Sequence, residues 1–143
     1  MNKFTLLFLI FFSNQLFASV EDETLICDKD TRGYNFISDN KVKISSINLN
    51  ELKISSVNHL YELTESTILI KKLFVSVNKE VNLITMPIGW IFRRNLDYVS
   101  LNYHNGDWNR KFSWTCEITS LSQFQRRINE KLNELIKVNR DSS

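Results

Sequence analysis

His59 and His104 are the only histidines in the chain, so acid–base or metal chemistry would have to begin with them. Neither lies beside a serine, cysteine or metal-binding partner in a motif-like spacing. A catalytic triad is defined by geometry and not by chain order, so a site assembled from loops stays open. The plain alternative is an imidazole at or just below the surface. Cys27 and Cys116, with two distant histidines, do not show zinc-ligand spacing. The sequence holds no GxSxG, P-loop, HExxH or dinucleotide fingerprint. Its three glycines (Gly33, Gly89 and Gly106) are too few for a phosphate-cradling loop. Glu21, Asp22 and Glu23 crowd together, and Glu62 and Glu65 flank a turn. Nothing in the sequence gives them the spatial separation of a glycosidase pair, and they read as solvated charge. The sequence therefore assigns no catalytic residue, metal ligand or cofactor site.

Redox chemistry is the more informative reading of the cysteines. Met1-Asn2-Lys3 is a short, positively charged start, and Phe4 to Phe12 is apolar apart from Thr5. Ser13-Asn14-Gln15 is a polar break, and Leu16-Phe17-Ala18 ends on a small residue. This is the layout of a secretory signal peptide over residues 1–18. The apolar run is too short for a bilayer, which takes roughly 20 residues. Cleavage would leave 125 residues starting at Ser19, with 17 basic and 16 acidic side chains. In an extracytoplasmic compartment, periplasmic or secreted, a lone Cys27/Cys116 pair is expected to form a disulfide. Its Cα atoms would then lie about 4.4–6.8 Å apart. Two buried thiols are the alternative. A near-neutral balance argues against nucleic acid or an anionic membrane as partner. Arg93 and Arg94 near Tyr98, and Arg110-Lys111 after Trp108, read as hairpin charges that discourage edge association. No second apolar stretch is long enough to cross a membrane.

The elements that must carry these residues alternate with a period of two from residue 24 to 118. In Phe112-Ser-Trp-Thr-Cys-Glu-Ile118, Phe112, Trp114, Cys116 and Ile118 share one face. Residues 88–103 read as a hairpin with a four-residue loop, Arg94–Asp97. That register pairs Arg93 with Tyr98, and then Phe92 with Val99, Trp90 with Leu101 and Ile88 with Tyr103, these last six all facing inward. Asn105-Gly106 is a strong hairpin turn. A two-residue loop there pairs Tyr103 with Trp108 and Val99 with Phe112. It also puts Arg110 opposite Leu101 on the inner face, a conflict that favours a longer connection with a bulge. Tyr34 and Phe36, then Ser38-Asp39-Asn40, then Val42 and Ile44 form another hairpin, with Asn40 a candidate for the left-handed position. Shorter strands are expected at 52–54, 57–63, 67–72 and 81–86. Pro87 belongs at a strand start or an edge. After Thr119 the period changes. Leu121, Phe124, Ile128, Leu132 and Leu135 recur every three or four residues, giving an amphipathic helix over 121–138. Ser120 is its N-cap, Gln123 completes a capping box, and Arg127 and Glu134 lie on the wet face. Residues 139–143 form a polar tail.

These readings combine into one domain over 19–138. It is mainly β: an antiparallel meander of about eight strands, curled into a barrel or half-barrel, with one C-terminal helix. Trp90, Phe92, Leu101 and Trp114 would line its interior, either as plain core or around one small apolar ligand. The outline resembles the lipocalin-like calycins in architecture alone, with no motif-level match. That resemblance implies a barrel able to hold a small ligand. The wealth of Asn, Lys, Ile and Ser, with Trp90-Ile-Phe-Arg93 and a late Trp114-Thr-Cys116, is similar to small exported β proteins of AT-rich bacteria, and implies no activity. The expectation is an exported, non-catalytic binding module for a protein partner or a small apolar ligand. The alternatives are a small hydrolase-type enzyme and a structural envelope protein.

Overall fold

A computed structural model of the chain describes residues 20–78, 80–104 and 107–142. The expected signal segment 1–18 and the Asn105-Gly106 turn lie outside them. Eight strands run in order: β1 (Thr24–Cys27), β2 (Arg32–Phe36), β3 (Lys41–Asn48), β4 (Lys53–Leu63), β5 (Thr67–Asn78), β6 (Glu80–Phe92), β7 (Asp97–His104) and β8 (Asp107–Thr119). One helix follows, α1 (Leu121–Asp141). Each strand pairs antiparallel with the next, and β1 closes on β8 to complete a barrel.

The alternation decides what fills the interior. Leu25 and Cys27, Tyr34 and Phe36, Val42 and Ile44, Tyr61, Ile68 and Ile70, Ile91, Tyr98 and Cys116 form one buried cluster. Cys27 lies directly opposite Cys116 in the β1–β8 ladder. The two are joined by a disulfide with Cα atoms 4.1 Å apart. That is slightly closer than the expected range, as fits facing residues on adjacent strands. The bond ties the first strand to the last, across 89 residues of sequence.

The opposite face of β1 to β3 is covered by α1. Ile26 and Ile47 are buried with Phe124 and Ile128, and Ile54, Leu132 and Leu135 pack against them. The close approach depends on Gly33, where a Cβ would overlap the Phe124 ring. Ser120 caps the helix, its hydroxyl accepting from the Gln123 amide at 3.2 Å. The return half of the capping box is not made, because the Gln123 side chain accepts from the Thr119 hydroxyl. Arg127 does not face solvent as expected. It donates to Asp30 through Nε (3.1 Å) and Nη2 (2.7 Å), and to Glu117 through Nη1. Those hydrogen bonds push its pKa above its usual value. The clamp holds a turn in which Asp28, Lys29 and Asp30 all have positive φ, a conformation costly for residues with side chains. Left-handed geometry falls on these residues and on Asp22, Leu52 and Leu96, and not on Asn40.

The 88–103 hairpin forms with a different register. Trp90 pairs with Val99 and Ile91 with Tyr98, two residues from the expected pairing. Ile91 and Tyr98 belong to the interior cluster, so Trp90 and Val99 lie on the other face. The expected inward set of Trp90, Phe92, Val99 and Leu101 is therefore inverted. Both alternating sets are apolar here, so alternation alone could not choose between them. Gly89 settles the choice by letting the Tyr98 ring lie where a Cβ would stand. The inversion also removes the Arg110 conflict. Arg110 does pair with Leu101, and His104 with Asp107, as a two-residue loop requires. Arg110 is simply outside, its guanidinium over the Trp90 ring at 5.9 Å. A register shift between Val99 and Leu101 places Ser113, not Phe112, opposite Val99.

Candidate functional site

Where the ladders stop defines the most distinctive surface. β3 and β4 pair from Asn48–Lys53 to Lys41–Leu60. β4 and β5 pair only from Leu60–Lys71 to Leu63–Ile68. β5 and β6 continue together out to Asn78–Glu80, while β6 and β7 pair only over Gly89–Ile91 and Tyr98–Ser100. Among the described residues, the outer part of the β5–β6 ribbon has no ladder to either neighbour. Pro87 sits on that ribbon, where β6 has an open side, beside a bulge between the Ile70 and Lys71 rungs. This is an edge position of the kind proline tolerates.

The parting of β4 from β5 leaves a crevice of about 360 Å³ lined by Lys41, Val57, Asn58, His59, Leu60, Lys72 and Leu73. Val57 and Leu73 are 57% and 46% exposed. His59 pairs across the ladder with Val42, and Val57 with Ile44. Both therefore have the parity of core residues but lie beyond the point where the barrel is closed. Burial, and then the charge of Lys72, lower the His59 pKa, so its neutral form is favoured.

The expected site residues do not converge. Trp114 alone reaches the interior cluster, stacked on Tyr98 at 4.6 Å and 13° and capped by the Arg32 guanidinium at 4.7 Å. Trp90 and Phe92 meet edge to face at 6.2 Å on the opposite side of the wall, together with Leu101. Phe112 is 54% exposed. His104 lies at the far end of β7, opposite Asp107. Sequence reasoning missed the Arg32–Trp114–Tyr98–Tyr34 stack. The Tyr34 hydroxyl faces Trp114 and Tyr98 without meeting hydrogen-bond geometry, and its pKa is raised mainly by burial and then by Tyr98. Sequence reasoning also missed the open side of β4. Its one sequence signal is Ile54-Ser-Ser-Val-Asn58, a strand segment without charge, proline or glycine.

Among the described residues, the interior around this stack is filled. Tyr34, Phe36, Val42, Ile70 and Ile91 have no exposed surface. The space between Val20, Glu23, Leu25, Phe36, Ile68, Leu96 and Ile118 amounts to about 10 Å³, at most one water. A second surface groove, of about 400 Å³, runs between α1 and β2–β4 beside Lys43, Ser45, Ile54 and Gln125. Among the described residues, no His, Cys, Asp and Glu gather in a group of three that could hold a metal, and no helix is long and apolar enough to cross a membrane.

Fold and surface together define a closed eight-stranded antiparallel barrel with a helix on its outer face and a parted wall. Comparison with family models, with curated proteins and with solved structures finds no match.

Proposed function

We propose that this chain is an exported, non-catalytic binding module that engages a protein partner through its outer surface. The observation that carries the reading is the packed barrel interior beside an open, partly apolar crevice. A carrier of small apolar ligands needs enclosed volume, and the described core is occupied by its own side chains. The crevice instead presents exposed Val57 and Leu73 among lysines, a mixture suited to a macromolecular contact. Export is supported by the signal-like segment 1–18 and is compatible with the disulfide; mass spectrometry of the exported product is expected to find its N-terminus at or near Ser19.

A panel of fatty acids and aromatic compounds tests the binding mode through tryptophan fluorescence and thermal stability. The expected result is no saturable change with any of them. A saturable rise in melting temperature that is lost in Trp114→Ala would overturn the reading in favour of an interior ligand. A photo-crosslinking residue at position 57, introduced in cells that export the protein, is expected to give a discrete protein adduct.

A further inference from the structure

We propose that the open edge of β4 is a strand-addition site, which takes an extended, acidic peptide segment of a partner as an extra antiparallel strand. The inference rests on the partner-binding reading and names the partner's chemistry.

The first observation is the direction of the backbone groups. The Tyr61 amide donates to Asn40 O at 3.0 Å, across the β3–β4 ladder. The register is regular from Lys41–Leu60 to Asn48–Lys53. In an antiparallel pair, residues alternate between those that exchange bonds with the neighbour and those that face away. Counting from Tyr61, His59, Val57 and Ser55 turn their N–H and C=O toward β3. Asn58, Ser56 and Ile54 turn theirs to the opposite side. The 2.8 Å contact between the Ser45 and Ser56 hydroxyls fits this phase, because side chains approach more closely at the non-bonded rungs. β5 takes up that opposite side only from Leu60 onward. Asn58 therefore offers its main-chain donor and acceptor to the crevice, and Ser56 and Ile54 continue the same set at strand spacing toward the groove beside α1.

The second observation is the lack of protection. Exposed edges in stable monomers are blunted by lysine, proline, bulges or a covering loop. Ile54 is covered in part by α1, but Ser55 to Asn58 carry no such device, and the β3–β4 register beside them has no bulge. The third is charge and polarity. The crevice lining supplies Lys41 with Val57, Leu60 and Leu73. A strand alternating β-branched and acidic residues meets both. It places apolar side chains beside Val57, and carboxylates on the opposite face, where Lys41 lies. Main-chain bonding then gives affinity and the alternating side chains give selectivity.

The test uses the oxidised full-length protein and a short capped peptide alternating valine with glutamate, titrated by fluorescence anisotropy. Saturable binding is expected, weakened by salt, with amide hydrogen exchange slowed at Ser56 and Asn58. Methylating the peptide nitrogens on one alternating set is expected to weaken binding at least about tenfold, while methylating the other set leaves it nearly unchanged. Asn58→Pro removes an outward amide without taking a bond from β3, and should also weaken binding at least about tenfold. Val57→Asp, which leaves every backbone group in place and sets a like charge against the peptide carboxylates, is the second variant and should weaken it as well. A valine–lysine peptide should not bind. Binding that survives both variants, or is indifferent to which amides are methylated, overturns the edge site while leaving a partner elsewhere on the surface. No binding by the acidic peptide overturns the edge site too, and the position-57 crosslink then decides the broader reading separately.

Discussion

The barrel wall is held in two different ways. From β1 to β3 it is covered on both faces. The core lies inside, Phe124 and Ile128 lie outside, a disulfide joins the closing strands, and Arg127 clamps the helix to the β1–β2 turn and to β8. From β4 to β7 the wall depends on two short ladders, and the β5–β6 ribbon runs past both. The difference is one of energy as well as layout, and ladder hydrogen bonds are the weaker tie. Each contributes only about 1 kcal/mol net, whereas burying a large apolar side chain is worth about 1.5–3 kcal/mol. Apolar burial is concentrated where a second layer covers the sheet; along β4, Ile54 packs against the helix cluster whereas Val57 is 57% exposed.

Breaking the braced side should give the largest effects. Replacing Cys27 and Cys116 together by serine is expected to cost about 2–5 kcal/mol in denaturant unfolding. A loss no larger than that of a surface substitution would show that the β1–β8 ladder closes without the bond. Phe124→Ala should cost about 3 kcal/mol, because the ring is 5% exposed and seated on Gly33. Its counterpart on the parted side, Val57→Ala, should change stability by less than about 0.5 kcal/mol, and equal effects would erase the contrast between the two halves. Arg127→Ala should cost about 1 kcal/mol, since a two-carboxylate clamp at this partial exposure sits at the upper end of surface ion pairs. Added salt should reduce that difference.

The smallest effect belongs to His59. Its folded pKa is depressed below the ordinary 6.5 by burial and then by Lys72. The unfolded chain therefore takes up its proton first. The contribution of His59 to stability is full above pH 6.5 and is lost as the pH falls through that value toward the folded pKa. His59→Gln should flatten this part of the stability profile. An unchanged profile would place its source in other groups.

Much of the braced side was legible in the sequence, and little of the parted side was. The stripe Phe124, Ile128, Leu132 and Leu135 with Ser120 before it specified α1, because one periodic apolar face has one way to be buried. Trp114 and Cys116 were placed inward correctly, since Ser113, Thr115 and Glu117 between them are polar. At 88–101 the same logic failed. Trp90 and Ile91, or Tyr98 and Val99, are equally apolar, and only Arg110 signalled that the face was inverted. The open edge of β4 had no such signal beyond an uncharged run. Where β4 leaves β5 depends on strand curvature and on where neighbouring ladders end, which no local pattern of residues records. Arg127 was read as solvent-facing because its partners, Asp30 and Glu117, come from distant segments.

The pairing of Cys27 with Cys116 has a consequence for how the molecule is made. A chain that emerges from its N-terminus presents one thiol and then no second one for 89 residues. With only two cysteines in the sequence, no incorrect bond can form within a single chain, and the correct one must await β8. Oxidation in a monomer is thus a mark of completion. A truncated or stalled chain that lacks β8 has no second thiol of its own with which to form the bond.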